Sequence, residues 1–184
     1  LTIVRMCNCG GLQPEITTDG LIASSHGLGL DNVMHYYKLE QTREEDTLVN
    51  TFVEHAGLYK KHIVPYIVQG NQELLQSFIK AGYFHGITAT CPGFYAPQGR
   101  TLRIPVTFPN LPEKLSSFQY KDLRITNFEM ETSAIYGLGK LMGHHCLSIN
   151  TVVANRSTHQ FSKDGKKAVE NMITKSLEVL LSVV

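Results

Sequence analysis

Thr126-Asn127-Phe128-Glu129-Met130-Glu131-Thr132-Ser133-Ala134 sets two acids around a methionine at the mouth of an apolar helical pattern. Thr126-x-x-Glu129 has the spacing of a capping box, and acids in a first helical turn are favoured by the helix dipole. The period of Met130, Ala134, Leu138 and Leu141 predicts a helix over Glu129–Met142 with these residues on one face, stopped by Gly143. Arg124 to Asn127 upstream reads as a short strand. Cys146 to Val153 downstream is an apolar run of the kind found in fully buried strands. Strand, helix and buried strand in succession make this an α/β protein. Capping explains Glu129 but not Glu131, which lies at a strand–helix junction, where such folds place ligands.

The rest of the chain repeats the alternation. Thr2 to Met6 reads as a buried strand ended by Arg5 and a turn at Cys9-Gly10-Gly11, and Leu21 to Ser25 as a second strand. Leu48, Phe52, Val53 and Ala56 predict a helix over Glu44–Tyr59. Ile63 to Val68 contains Pro65, which confines such a strand to an edge or an irregular stretch. Asn71 caps a helix that runs to Ala81 and is stopped by Gly82, with His85 to Thr90 as the next strand. Phe94 to Pro112 is a long irregular segment, and long loops in compact domains tend to be functional. Lys163 to Val184 is an amphipathic terminal helix.

With 184 residues, 42% hydrophobic and 18% charged, the chain is long enough for a substantial core and has the composition of an ordinary globular protein. Its net charge of +1 disfavours a nucleic-acid or membrane-surface partner. No apolar run is long enough for a membrane span. Cys7-x-Cys9 is too tight for a zinc knuckle and has no second pair to complete it. Adjacent His144 and His145 point to opposite faces of a strand, so no metal site is expected. Reduced, buried thiols in a cytoplasmic protein are the expectation for the four cysteines. His26 and His35 read as structural.

Four places hold candidate chemistry. Arg5 beside a glycine-rich turn suits an oxyanion, because a guanidinium offers a planar fork of donors; an arginine paired to a surface acid explains it as simply. In Gly93-Phe94-Tyr95-Ala96-Pro97-Gln98-Gly99-Arg100, Gln98 offers both a carbonyl and an amide and Arg100 only donors. That pair complements a uracil edge, with Phe94 available for stacking; the plain alternative is a polar loop with a satisfied arginine. Arg156, after the buried strand, suits either a ligand or a salt bridge. Met130 by itself reads as core, since methionine commonly fills gaps.

Taken in order, Arg5, then Cys9-Gly10-Gly11-Leu12-Gln13-Pro14, Phe94, Gln98 and Arg100, Phe128-Glu129-Met130-Glu131, and Asn155-Arg156 resemble the nucleoside phosphorylase superfamily, and within it the uridine phosphorylases, over nearly the whole chain. The resemblance implies a three-layer αβα fold with a mixed, partly barrel-like central sheet. It implies phosphorolysis of a pyrimidine nucleoside to free base and ribose 1-phosphate, with inorganic phosphate as co-substrate and no cofactor. Arg5 is then a phosphate ligand, and Asn8, Cys9 and Gly10 line the nucleoside. Phe94, Gln98 and Arg100 form the pyrimidine pocket. Phe128, Met130 and Glu131 form the ribose floor, with Glu131 on the 2′- and 3′-hydroxyls. Arg156 sits near the uracil O4, where purine-specific relatives carry an acid. A homo-oligomer built from dimers, up to a hexamer, is the family habit.

Two departures from the pattern matter. The family usually places Gly-Thr where this chain has Cys7-Asn8, so Asn8 stands in for a phosphate-binding hydroxyl. Family chains also carry roughly another third before the segment that matches Thr2. Residues 1–184 are therefore expected to be the C-terminal portion of a single phosphorylase domain, to fold poorly alone and to turn over nothing detectable. The altered turn motivates an alternative, a phosphate-independent nucleosidase. The shorter span motivates another, a non-catalytic nucleoside-binding protein.

Overall fold

The computed structural model describes residues 1–58 and 63–182. The strands are β1 (Thr2–Gly11), β2 (Leu21–Gly29), β3 (Tyr66–Gln69), β4 (Phe84–Thr90), β5 (Gln119–Tyr120), β6 (Leu123–Glu129), β7 (His145–Asn155) and β8 (Gln160–Phe161). The helices are α1 (Arg43–Ala56), α2 (Gln72–Lys80), α3 (Leu111–Ser117), α4 (Thr132–Leu141) and α5 (Gly165–Leu181), with short 3-10 turns at Val33–Tyr36 and Ala96–Gln98. The mixed sheet runs β3-β2-β4-β6-β1-β7-β8, and an added β2–β7 pairing closes β2, β4, β6, β1 and β7 into a five-stranded barrel. This is the α/β, partly barrel-like architecture that the sequence motifs imply.

Alternation along the barrel strands separates two environments. Outward-facing Leu28, Ile87, Ala89 and Ile125 join Leu48 and Phe52 of α1 and Leu111 and Leu115 of α3 in one core. Ala23, Leu147 and Ile149 pack with Leu75 and Phe78 of α2 and Met172 of α5 in a second. A third gathers Tyr136 of α4 with Met34, Tyr66 and Val68. The opposite face of the same strands is polar: Ser24, Thr88, Asn127, Ser148 and Asn150 are all fully buried. These residues bond to one another around the ring.

Local signals set several element ends. Thr42 and Glu45 form a capping box at the start of α1, and the Asn71 side chain accepts the Leu74 N–H at 2.9 Å to start α2. Gly82 and Gly143 follow α2 and α4 at positive φ. β3 begins just after Pro65 and lies at the end of the sheet, as a proline-bounded strand should. The expected helix ends at Tyr59 and Val184 fall on residues outside the described set.

Other expectations are corrected. β1 does not end at Arg5 in a glycine turn; it continues to Gly11, paired with β7 from Thr2↔His145 to Gly11↔Asn155 and with β6 at Gly10 and Gly11. The glycines serve close approach instead, since a Cβ on Gly10 would stand 2.7 Å from the Phe128 ring. The Thr126–Glu129 capping box is absent because both residues belong to β6, and α4 starts three residues later than expected. The buried face of α4 is Tyr136, Gly137 and Gly139, while Met130 and Leu141 are exposed. The segment after Phe94 is also less irregular than expected, since α3 begins at Leu111, with proline in its first turn.

Tyr136 fastens α4 to the barrel. Its hydroxyl donates to the Ser24 carbonyl at 2.7 Å and accepts the Ser148 N–H at 2.8 Å, both bonds buried. Tyr136→Phe therefore strands two backbone groups, and each buried group left unsatisfied costs roughly 1–3 kcal/mol. The expected result is a lower urea midpoint with an unchanged slope; an unchanged midpoint would show that the hydroxyl contributes nothing net.

Candidate functional site

β6 and β1 converge at their C-terminal ends, where Phe128 packs under Gly10. At the end of β6, Glu129 turns its buried carboxylate back onto the start of α4. Its oxygens accept the Glu131 N–H at 2.9 Å, the Thr132 N–H at 3.0 and 3.1 Å, and the Thr90 hydroxyl at 2.7 Å. Glu129 thus caps α4 from outside the helix, consistent with the attraction of an anion for a helix N-terminus. Glu131 is left half-exposed at the mouth of a cleft.

That cleft, of about 320 Å³, lies within the roughly 300–1,000 Å³ typical of small-molecule pockets. β1 contributes Asn8, Cys9 and Gly10 to its wall, and the end of β6 and its junction with α4 contribute Phe128, Met130 and Glu131. The loop after β4 contributes Phe94, Gln98 and Arg100. Arg5 and Arg156 stand behind the wall rather than in it. Cys7, beside Asn8, also lines the cleft, as do Val153, Ala154 and Phe161, which no sequence motif marks as site residues; Phe161 is largely exposed at its rim. Only the strand pairing of β7 with β8 brings Phe161 there, and nothing in its local sequence marks it.

Arg5 points inward from the middle of β1. Its Nη1 donates to Ser148 Oγ at 3.1 Å and to Asn150 Oδ1 at 3.0 Å, and its Nη2 meets Glu129 Oε2 at 2.9 Å and also Glu131 Oε2. Arg5 is thus more than a strand-end arginine on a surface acid. It is a nearly buried cation shared by one buried and one half-exposed carboxylate.

The loop arginines form a second positive centre. Arg100 Nη1 donates to the Phe94 carbonyl at 2.6 Å and to Gln98 Oε1 at 2.5 Å, and the guanidinium lies 3.7 Å from the centre of the Phe94 ring. Arg156 Nη2 donates to the Gln98 carbonyl at 2.7 Å and its guanidinium stands 5.8 Å from the Phe128 ring centre. Burial, and next the Arg156 charge, pull the Arg100 pKa below its ordinary value. With Oε1 engaged by Arg100, Gln98 presents its amide Nε2 as the remaining polar group. The cleft therefore offers donors on the loop side, a carboxylate acceptor on the α4 side and aromatic faces between them.

Neither Cys9 nor Cys91 is prepared as a nucleophile. Burial pushes the Cys9 thiol well up, against a smaller opposing pull from Asn127, and burial pushes Cys91 up to about 12. All four cysteines are free. Among the described residues no group of three or more His, Cys, Asp or Glu is placed to hold a metal ion, and no helix is long and apolar enough to cross a membrane.

The chain matches known proteins over its whole length. It is 26% identical over 179 residues to a uridine phosphorylase of Thermococcus kodakarensis, covering 97% of this chain and 57% of that one. A uridine phosphorylase of Haemophilus influenzae is 24% identical, covering 98% of this chain and 66% of the relative. The crystal structure of a Trypanosoma brucei nucleoside phosphorylase, described as showing uridine phosphorylase activity, superposes with a TM-score of 0.89 at 28% identity, over 98% of this chain and 63% of that one. This chain thus spans about three fifths of the length of such relatives. The sequence profile of the Phosphorylase superfamily matches residues 1–184, and the chain belongs to that superfamily.

Proposed function

We propose that this chain carries the nucleoside pocket and a phosphate contact of a uridine phosphorylase, which converts uridine and phosphate to uracil and ribose 1-phosphate. The observation that carries the reading is that Arg100 holds Gln98 by its Oε1, which leaves Gln98 Nε2 and the guanidinium as donors beside the Phe94 and Phe128 faces, in one cleft with Glu131. Two donors beside aromatic rings suit a flat base that presents carbonyl oxygens. The relatives named for uridine phosphorolysis support the same substrate.

Displacement at C1′ through an oxocarbenium-like state needs no protein nucleophile, because phosphate is the nucleophile. The protein supplies position and electrostatics. Arg5 holds phosphate, Glu131 accepts the ribose hydroxyls, and Met130 with Phe128 floors the sugar. Asn8, Cys9 and Gly10 bound the nucleoside on the β1 side. Gln98 and Arg100 stabilise the charge that gathers on the departing base, while Arg156 holds the Gln98 carbonyl and adds its field. No cofactor enters this scheme. A cytoplasmic, dimer-based oligomer is the setting we infer, in keeping with four free thiols.

The test is uracil release from uridine with and without phosphate. It is made on the 184-residue chain and on this chain joined to the remaining part of the trypanosomal relative. Phosphate-dependent release from the joined protein is the expected result. Release indifferent to phosphate would replace the proposal with a nucleosidase, and uridine binding without release in either protein would replace it with a binding protein.

A further inference from the structure

The polar lining of the barrel is costly to bury, and its hydrogen bonds run in one direction. Asn150 Nδ2 donates to Ser24 Oγ at 3.1 Å, and Ser24 meets Thr88 Oγ1 at 2.6 Å. Thr88 Oγ1 in turn donates to Asn127 Oδ1 at 2.9 Å, so Ser24 is the donor to Thr88. The chain of donors fixes which way the Asn150 amide faces. With Nδ2 committed to Ser24, Oδ1 is left pointing at Arg5 Nη1. Parallel register sets Arg5 opposite Ser148 and Cys7 opposite Asn150, so both β7 side chains reach the same guanidinium edge. Thr132 Oγ1 donates to Ser148 Oγ at 2.9 Å and holds that hydroxyl in place as well.

We infer that Asn150, aided by Ser148, is a positioning residue that clamps Nη1 of Arg5 and so sets Nη2 to meet an anion when the half-exposed Glu131 turns from Arg5 to the ribose hydroxyls. The chemistry of the clamp fits that task. Glu129 alone balances the guanidinium once the half-exposed Glu131 turns to the sugar, so a further acid fixed on Nη1 would leave the site net negative against an anion. A neutral amide and a hydroxyl hold the guanidinium without neutralising it. Side chains that fix a functional group from behind recur at binding sites for the same reason, since a loosely held group loses affinity to disorder. Asn150 does not line the cleft, so its effect is expected mainly on the anion. The inference rests on the reading of Arg5 as the phosphate ligand.

Three readouts on the chain joined to the remaining part of the trypanosomal relative test it: phosphate affinity by titration, uridine affinity by titration, and exchange between the two Arg5 Nη groups by nitrogen-15 NMR. Asn150→Ala is expected to weaken phosphate binding about tenfold and uridine binding much less, since it reaches Glu131 only through Arg5. The double variant Ser148→Ala with Asn150→Ala is expected to speed guanidinium exchange about tenfold, since it removes both acceptors from Nη1. Asn150→Ser keeps a hydroxyl for Ser24 but falls short of Arg5, and is expected to behave like Asn150→Ala should that variant fold poorly. Phosphate binding lost in Arg5→Ala but intact in both Asn150 variants overturns the clamp alone. Equal weakening of phosphate and uridine binding also overturns it, because that is the mark of a general structural role. Phosphate binding indifferent to Arg5→Ala overturns the phosphate reading of Arg5 and the clamp with it.

Discussion

Arg5→Ala is expected to lower the stability of the chain by about 3 kcal/mol, at the lower end of the range for breaking a buried ion pair. The mechanism is the carboxylate left behind. Glu129 is buried, and Arg5 is its cationic partner at 2.9 Å. The loss is held to the low end because the Thr90 hydroxyl and the Glu131 and Thr132 N–H groups still donate to Glu129. Glu131 is half-exposed and contributes little, since solvent screens a contact of that kind. A urea titration of Arg5→Ala, Glu129→Gln and the double variant measures this directly. The double variant should be more stable than Arg5→Ala alone, because Gln accepts at the helix start without a buried charge. A double variant no better than Arg5→Ala would show that the ion pair is not what the arginine contributes.

Arg100→Ala is expected to reduce uracil release from the joined, active protein by about 10²–10³, or roughly 3–4 kcal/mol in the barrier, by analogy with a deleted oxyanion donor. The arginine is only partly buried, and its hydrogen bonds run to its own loop at Phe94 and Gln98, so folding should change little. Gln98→Ala should also cut turnover severely. It removes an amide donor and one anchor of Arg100, but it opens a small void as well, because Gln98 is buried. Comparing kcat with KM separates the two contributions. A fall in kcat with little change in KM marks a group that acts on the departing base, whereas a pure rise in KM marks uniform binding. Unchanged turnover in both variants would remove Gln98 and Arg100 from the chemistry.

Two tests address the same cleft from opposite ends. The Arg5 and Asn150 variants act on the anion side, inside the barrel. The Arg100 and Gln98 variants act on the base side, on a loop held by the Arg156 bond to the Gln98 carbonyl. The two groups share no direct hydrogen bond among the described residues, and effects of residues without shared partners tend to add. Strong non-additivity between Arg5 and Arg100 variants would mean that phosphate and base are sensed together.

Periodicity and punctuation determined the α/β alternation, the Asn71 cap, the edge position of the proline-bounded strand, and the stops at Gly82 and Gly143. These are local, set by backbone preferences within a few residues. The candidate site residues came from the order of the motifs and the family resemblance it carries; the structure sets most of them around one cleft, with Arg5 and Arg156 behind its wall. Closure of five strands into a barrel was decided by tertiary structure alone, through the β2–β7 pairing. That closure made Thr126 and Glu129 strand residues despite their capping spacing, since pairing with β4 and packing on both faces outweighs a cap. It carried β1 past Arg5 through two glycines that serve close contact with Phe128 and Val152, where the sequence reads as a turn. Parallel pairing of β1 with β7 brought Ser148 and Asn150 onto one edge of Arg5 from 143 and 145 residues away in the chain, a juxtaposition visible in no local pattern.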